Sequence, residues 1–257
     1  MKKRCLMVGV ASALSMGSAG ATVIVDEDFE SYADTAALGG VWALSDGTLD
    51  TALGNPGNSL SHPGTSGSFS GGNTNSLSFA EVAPTGTDFL AFSVDIYDDG
   101  TSSNKRTTAG LRRASPAGNL LELGMYNAPS HYAYRVILFG SGDPSWAAFE
   151  NLVDDAGEPI ENTPVEGWHT FLAEISETSI ELTLDLNGDG NINATASVPI
   201  SPVDLGFDIV RLGGPSDLSS AGGGANFDNV SLTLVPEPAT AALLGLGGLA
   251  MLRRRSA

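Results

Sequence analysis

Apolar residues recur at every second position through Asp88–Tyr97, where Leu90, Phe92, Val94 and Ile96 alternate with Phe89, Ala91, Ser93, Asp95 and Tyr97. A strand with one buried face satisfies that period and a helix of 3.6 residues per turn does not. Strand signals also occupy Thr22–Tyr32, Asn119–Tyr126, His131–Phe139, Trp168–Ile175, Ser179–Leu186, Asn191–Val198, Gly206–Leu212 and Asn226–Leu234. Ser45–Ser78 is rich in Gly, Ser, Asn, Thr and Pro, which favours turns and short irregular strands. A basic patch at Lys105, Arg106, Arg112 and Arg113 follows the first clear strand, and Gly140–Pro164 reads as a long connection with a helical turn around Trp146–Leu152. Roughly ten short strands, Gly-rich turns and no amphipathic helix predict an all-β domain over residues 22–234. Its expected form is two packed antiparallel sheets in a jelly-roll β-sandwich.

The two ends of the chain differ from this body. Lys2, Lys3 and Arg4, an apolar run Leu6–Leu14 and the small-residue triplet Ala19-Gly20-Ala21 predict a signal peptide over residues 1–21, removed by signal peptidase before Thr22. Cys5, the only cysteine, goes with it, so the mature chain has no disulfide. At the other end, residues 235–257, Val235-Pro236-Glu237-Pro238 precede the mostly apolar Ala239–Leu252 and then Arg253, Arg254 and Arg255. Prolines 236 and 238 fix their own φ and push their predecessors towards extended conformations, which predicts a stiff, exposed stalk. The apolar segment would span about 21 Å as a helix at ~1.5 Å per residue. That is short of the roughly 20 residues of a full membrane span, and the arginines would snorkel to the cytoplasmic side. A permanent C-terminal anchor is the alternative reading.

In order and spacing these three parts resemble the PEP-CTERM protein-sorting signal of Gram-negative bacteria. The resemblance implies transient holding in the inner membrane, recognition by exosortase (a membrane transpeptidase-like enzyme), cleavage near Pro236–Pro238, and delivery to the cell surface or extracellular matrix. The body, with Gly167-Trp168-His169-Thr170-Phe171, Ser179–Asp185 and the closing Phe227-Asp228-Asn229-Val230-Ser231-Leu232, resembles concanavalin-like and laminin-G-like jelly rolls.

Charge narrows the partners. All thirty acidic residues lie between residues 22 and 238, whereas six of the twelve basic ones belong to the two terminal segments, so the body carries six basic against thirty acidic residues, a net −24. Nucleic acid and anionic lipid need cationic surface and are excluded on this ground. Bound Ca²⁺ and simple solubility outside the cell both fit.

Two patterns suggest Ca²⁺. Asp185, Asn187 and Asp189, with Gly190 at the sixth position, match the first half of a Ca²⁺ loop, but the twelfth position is Ala196 rather than a bidentate acid. A hairpin turn between Leu184 and Ile192 explains the same residues. Asp28, Glu30 and Asp228 resemble the structural Ca²⁺ site that several carbohydrate-binding sandwiches hold where first and last strands meet; solvated charges guarding a strand edge are the alternative. Catalysis finds little support. The histidines, His62, His131 and His169, are scattered, no Gly-x-Ser-x-Gly or His-Glu-x-x-His occurs, and Asp26–Glu30 lacks the alternating acids of jelly-roll glycosidases. Trp146 is the best-placed ring for stacking on a sugar, among Trp42, Tyr126, Tyr132 and Tyr134. The expectation is an exported, non-catalytic surface or matrix protein; the alternative is a lectin-like module that binds a polysaccharide, with Ca²⁺.

Overall fold

The computed structural model describes residues 20–63, 74–101, 105–114, 118–126, 129–160, 163–214 and 224–236. In chain order they form β1 (Thr22–Glu27), a single helical turn α1 (Thr35–Leu38), β2 (Thr48–Asp50), β3 (Ser59–His62), β4 (Thr74–Val82), β5 (Asp88–Asp98), β6 (Thr107–Arg112) and β7 (Leu120–Met125). There follow β8 (Tyr132–Leu138), β9 (Ser141–Ala148), β10 (Gly167–Ile175), β11 (Ser179–Asp185), β12 (Ala194–Pro199), β13 (Phe207–Gly213) and β14 (Ala225–Pro236).

The strands make two antiparallel sheets packed as a sandwich. One has the order β12-β11-β10-β5-β14-β3-β2, with β1 also paired to β14; the other runs β4-β13-β6-β7-β8-β9. The period-two pattern decides which side chains meet between them. Leu90, Phe92, Val94 and Ile96 of β5 are fully buried against Leu121, Leu123 and Met125 of β7 and their neighbours in one core, joined by Phe171, Ala173 and Ile175 of β10. At about 25 cal/mol per Å² of apolar surface removed from water, this shared core is the main stabilising term.

Three expectations change. Residues 140–164 are not a long connection with a helical turn: Ser141–Ala148 is β9, the edge strand of the six-stranded sheet, where Pro144 costs no ladder hydrogen bond. Gly140, at φ 80°, supplies the left-handed residue that turns β8 directly into it. The stretch of the basic patch between Arg106 and Arg113 is also a strand, β6, with Ala109 and Leu111 in the core. Finally, Val235 and Pro236 are not a stalk. They are the last residues of β14, half-buried and registered against Phe89 and Asp88.

The register also fixes two ends of the sandwich. Thr22 opposes Leu234, and Pro236 opposes Asp88, so the domain begins and finishes at one end, which we term the base. At the opposite end, the tip, lie Asp98 opposite Gly167, the turn between Asp185 and Ala194, and Met125 opposite Tyr132.

Candidate functional site

The Val235–Pro238 motif is the first candidate. β14 is a central strand, held by β5 on one side and by β3 and β1 on the other, and its pairing with β5 continues into Pro236. Glu237, Pro238, the apolar segment and Arg253–Arg255 lie outside the described residues, as does residues 1–19 of the expected leader. Among the described residues no helix is long and apolar enough to cross a membrane.

The outer face of the larger sheet collects carboxylates that pair with no cation among the described residues. A bulge in β14 between Asp228 and Ser231, with Asn229 in the left-handed region at φ 47°, aims Asp228 and Asn229 at Asp95 of β5. Asp228 is 1% exposed and accepts the backbone N–H of Asn55 at 2.5 Å and that of Asn229 at 2.7 Å. Asp95 accepts the Asn55 amide at 2.9 Å, the Asn229 amide at 2.8 Å and the Thr170 hydroxyl at 2.6 Å. Burial pushes the Asp228 carboxyl up to about 6, with the charges of Asp95 and Glu30 adding to it against the two backbone donors.

First and last strands are therefore adjacent, as the Asp28, Glu30 and Asp228 pattern required, and Glu30 and Asp228 come near one another. Glu30 is exposed and accepts the Asn58 N–H; a Cβ on Gly57, at φ 89°, would lie 1.9 Å from its Oε1. Asp28 is exposed and accepts the Glu30 N–H at 3.1 Å. Sequence reasoning missed Asp95, which lies mid-strand, and Asn55, in a loop. No group of three or more His, Cys, Asp or Glu is arranged to hold a metal ion among the described residues.

Asp185, Asn187 and Asp189 occupy a turn between two strands. Asp185 accepts the N–H groups of Asp189 and Gly190 at 3.2 and 2.8 Å, and Asp189 accepts that of Asn191 at 2.8 Å. Asn187, at φ 69°, and Asn193 both donate to Asp155, from outside the motif, at 2.8 and 2.9 Å. The side chains of Asn193 and Asn187 hold the Asp155 carboxyl below its ordinary range.

At the tip a buried polar network closes the core. Asp98 is fully buried, with Lys105 Nζ 2.9 Å and His131 Nε2 2.6 Å from its two oxygens; Lys105 also reaches Asp99 at 2.6 Å. The Tyr132 hydroxyl lies 3.3 Å from Asp98 and 3.1 Å from His169 Nε2. His169 Nδ1 accepts the Asn187 N–H at 3.2 Å, so Nε2 carries the proton and donates to the Val165 carbonyl at 2.8 Å. Burial holds His169 below its usual range and thus neutral. For Asp98 burial pushes upwards, but His131 and Lys105 outweigh it and the carboxyl stays ionised.

Trp146 sits in β9, half-buried, stacked on Tyr126 at 4.0 Å and 11°. The Arg135 guanidinium lies 4.8 Å from the Trp146 ring centre and that of Arg106 5.3 Å from Tyr126. Each aromatic thus has the other ring and a guanidinium packed on it. Trp146 lines a cleft of about 250 Å³ with Tyr134, Ser145 and Ser197. A second cleft, of about 360 Å³, is lined by Ser61, His62, Tyr97, Asp99, Lys105 and Asn226, and the Tyr97 ring packs 5.4 Å from Trp168. A third cleft, of about 580 Å³, has Ser130, Phe149, Asn151, Leu152 and Ile160 among its walls.

Residues 234–256 match the PEP-CTERM protein-sorting motif, and the motif implies export through an exosortase-type system and sorting to the surface. No curated protein matches the sequence. Among solved structures, the binding domain of Paraclostridial Mosquitocidal Protein 1 superposes with a TM-score of 0.50 at 8% identity, over 84% of this chain and 49% of that one. A carbohydrate esterase of a Shiga toxin-encoding bacteriophage gives 0.49 at 12% identity, covering 84% and 100%. The CBM2 module of an evolved Dit protein from a Lactobacillus casei phage gives 0.47 at 13%, covering 85% and 97%. The likeness is of an all-β sandwich, and binding modules and enzymes both occur among the neighbours.

Proposed function

We propose that the chain is a cell-surface or extracellular-matrix protein whose sandwich serves a non-catalytic structural or interaction role, delivered by transient inner-membrane holding and exosortase cleavage near Pro236–Pro238. The observation that carries the non-catalytic part is burial. His62, His131 and His169 are each 0–1% exposed, and so are Asp98, Lys105 and Tyr132 beside them. His131 and His169 are held with Asp98, Lys105 and Tyr132 in the network that closes the tip. Immunoblotting a tagged chain in an exosortase-deficient strain tests the delivery, with an uncleaved, membrane-held form expected; normal cleavage and release there would reject it.

A second reading, a Ca²⁺-supported carbohydrate-binding module, is favoured by the negative field at Asp228, to which Asp95 and Glu30 add their charges, beside strands that contain no lysine or arginine. Carboxylate and amide oxygens with no nitrogen or sulfur ligand are the donor set of a hard cation. Ca²⁺ there would neutralise Asp228 and Glu30 and pin the first strand to the last. Tyr97 with Asn226 and Asp99 would face the sugar, in the cleft of about 360 Å³. Retention on a glycan panel, lost in the Tyr97→Ala variant or with chelator, is the expected result of this reading; a body that retains no glycan in either condition rules it out.

A further inference from the structure

Lys105 and Asp98 stand where ionised side chains are rarely found. Asp98 is 0% and Lys105 1% exposed, and they meet where the last residue of β5, in the larger sheet, comes against the segment that leads into β6 of the smaller. Lysine is almost never buried this fully, and taking both charges out of water costs more than their attraction returns unless good hydrogen bonds complete the pair. On the lysine side those bonds are missing. Nζ lies 2.9 Å from Asp98 Oδ1 and 2.6 Å from Asp99 Oδ1, yet neither contact has the angles of a hydrogen bond. The Asp98 carboxylate, by contrast, is well supplied with donors. Its Oδ1 accepts the Gly100 N–H at 3.0 Å, and its Oδ2 lies 2.6 Å from His131 Nε2 and 3.3 Å from the Tyr132 hydroxyl. An amine is thus held against a carboxyl group whose two oxygens are polarised, in a dry interior, with a second carboxylate touching the amine. That is an arrangement from which an amide forms.

We propose that Lys105 and Asp98 condense into an intramolecular isopeptide bond, with Asp99 as the proton shuttle. The Lys105 ammonium gives one proton to Asp99, and the lone pair this frees on Nζ attacks Asp98 Cγ to form the Nζ–Cγ bond. Negative charge gathers on Oδ2, where the His131 N–H and the Tyr132 hydroxyl hold it. The Cγ–Oδ1 bond then breaks. Oδ1 leaves as water with two protons, the one that Asp99 returns and a second from Nζ. Ammonium and carboxylate become one amide and one water, and no oxidant, cofactor or activated donor is consumed. Asp99 is 48% exposed and lines the cleft of about 360 Å³ together with Lys105, which gives the water a way out. Two buried charges vanish in the step, so the desolvation that burdens the ion pair favours the product. The bond ties one sheet to the other at the tip, in a body whose residues 22–238 contain no cysteine and therefore no disulfide.

Mass spectrometry of the full chain reads the bond directly. Folded protein is purified, unfolded in urea and digested with trypsin. The peptide that contains Asp98 is expected to be lighter by one water, to run uncut through Lys105 to Arg106, and to give no backbone fragments between residues 98 and 105, because the ring holds both pieces together. Full mass, with cleavage after Lys105, overturns the proposal. So does a peptide short of one water that trypsin still cuts after Lys105, since a succinimide at Asp99-Gly100 loses the same mass. Lys105→Arg keeps the charge and is expected to restore the full mass; a water still missing there takes Lys105 out of the bond and overturns the proposal. Asp99→Asn alters a half-exposed position and leaves the buried pair in place. It is expected to slow condensation by about a hundredfold, read as the fraction of light peptide at matched times after synthesis; condensation at the wild-type rate overturns the shuttle.

Discussion

The two sheets solve the same electrostatic problem in opposite ways. All six basic residues of the body, Lys105, Arg106, Arg112, Arg113, Arg135 and Arg211, lie in or next to strands of the six-stranded sheet, while the eight strands of the other contain none. On the first, carboxylates are held by cations: Glu122 by Arg135 at 2.5 Å, Glu81 and Asp204 by Arg113 at 2.7 and 2.5 Å. On the second they are held by neutral donors. Besides Asp95 and Asp228, Glu27 accepts the Phe29 N–H at 2.9 Å, the Tyr32 hydroxyl at 2.6 Å and the Trp42 ring N–H at 3.1 Å. Neutral donors leave the negative charge in place, and burial, with the charges of Asp95 and Glu30 adding to it, pushes the Asp228 carboxyl up. The difference teaches where this protein is sensitive to acid and where to cations.

The contrast breaks most severely where the sheets join. Lys105, beside β6, reaches across to Asp98 at the end of β5. Asp98→Ala leaves Lys105 and His131 buried without their partner and is expected to cost about 3–5 kcal/mol, measured by urea unfolding at pH 7. A loss under 1 kcal/mol would mean the network is dispensable.

The next effect depends on pH. The folded Asp228 carboxyl sits near 6 against an ordinary value of 3.8, so the group binds its proton more tightly when folded. Its contribution to stability is fully present below about pH 4 and is lost as the pH rises through 6, an effect on the order of 3 kcal/mol at ~1.4 kcal/mol per unit. Wild type should therefore gain on Asp228→Asn as the pH falls from 7 to 4. A constant difference between the two unfolding curves would remove the claim. Asp99 runs the other way. Burial pushes it up, but Lys105 and Thr101 outweigh that and hold it at about 2, so its contribution is present above an ordinary value of 3.8 and is lost as the pH falls from there to about 2.

A smaller effect sharpens the Ca²⁺ reading. Millimolar Ca²⁺ at pH 7 is expected to raise the melting temperature of wild type by a few degrees, following ~RT ln(1 + [L]/Kd), and to leave Asp228→Asn unmoved. An identical response to Ca²⁺ and chelator in both proteins would count against a site at Glu30 and Asp228. Gly57→Ala should cost about 1–2 kcal/mol, because a Cβ is strained at positive φ and meets Glu30; thermal unfolding would show it, and a neutral substitution would mean the loop repacks freely.

Much of the fold was legible because local pattern and burial coincide. The alternation at Leu90, Phe92, Val94 and Ile96 survives intact as the core of β5. Where they do not coincide, reading fails. Ser141–Ala148 has Ser, Gly, Asp and Pro in succession and becomes a strand only because β8 offers it a free edge. Asp228 stood out with Asp28 and Glu30 by resemblance to a Ca²⁺ site where first and last strands meet, but the partners its carboxyl finds were not legible, since Asp95 and Asn55 are brought to it by pairing and by a loop far away in sequence. Trp146 was legible as an aromatic near the surface; that Tyr126 and Arg135 pack on it was not.

The sequence by itself determined the strand period, hence the all-β class, and the sorting motif, which a processing enzyme reads from residues in order along the chain. It also determined the acidity of the body, a sum over side chains that no fold can change. Only the tertiary structure decided that this charge is unevenly paired, that Val235 and Pro236 are sheet rather than stalk, and that the first strand of the sandwich begins beside the end of its last. Those are properties of which strand lies beside which, and strand pairing is a long-range choice made by the shared core, with no local signature to announce it.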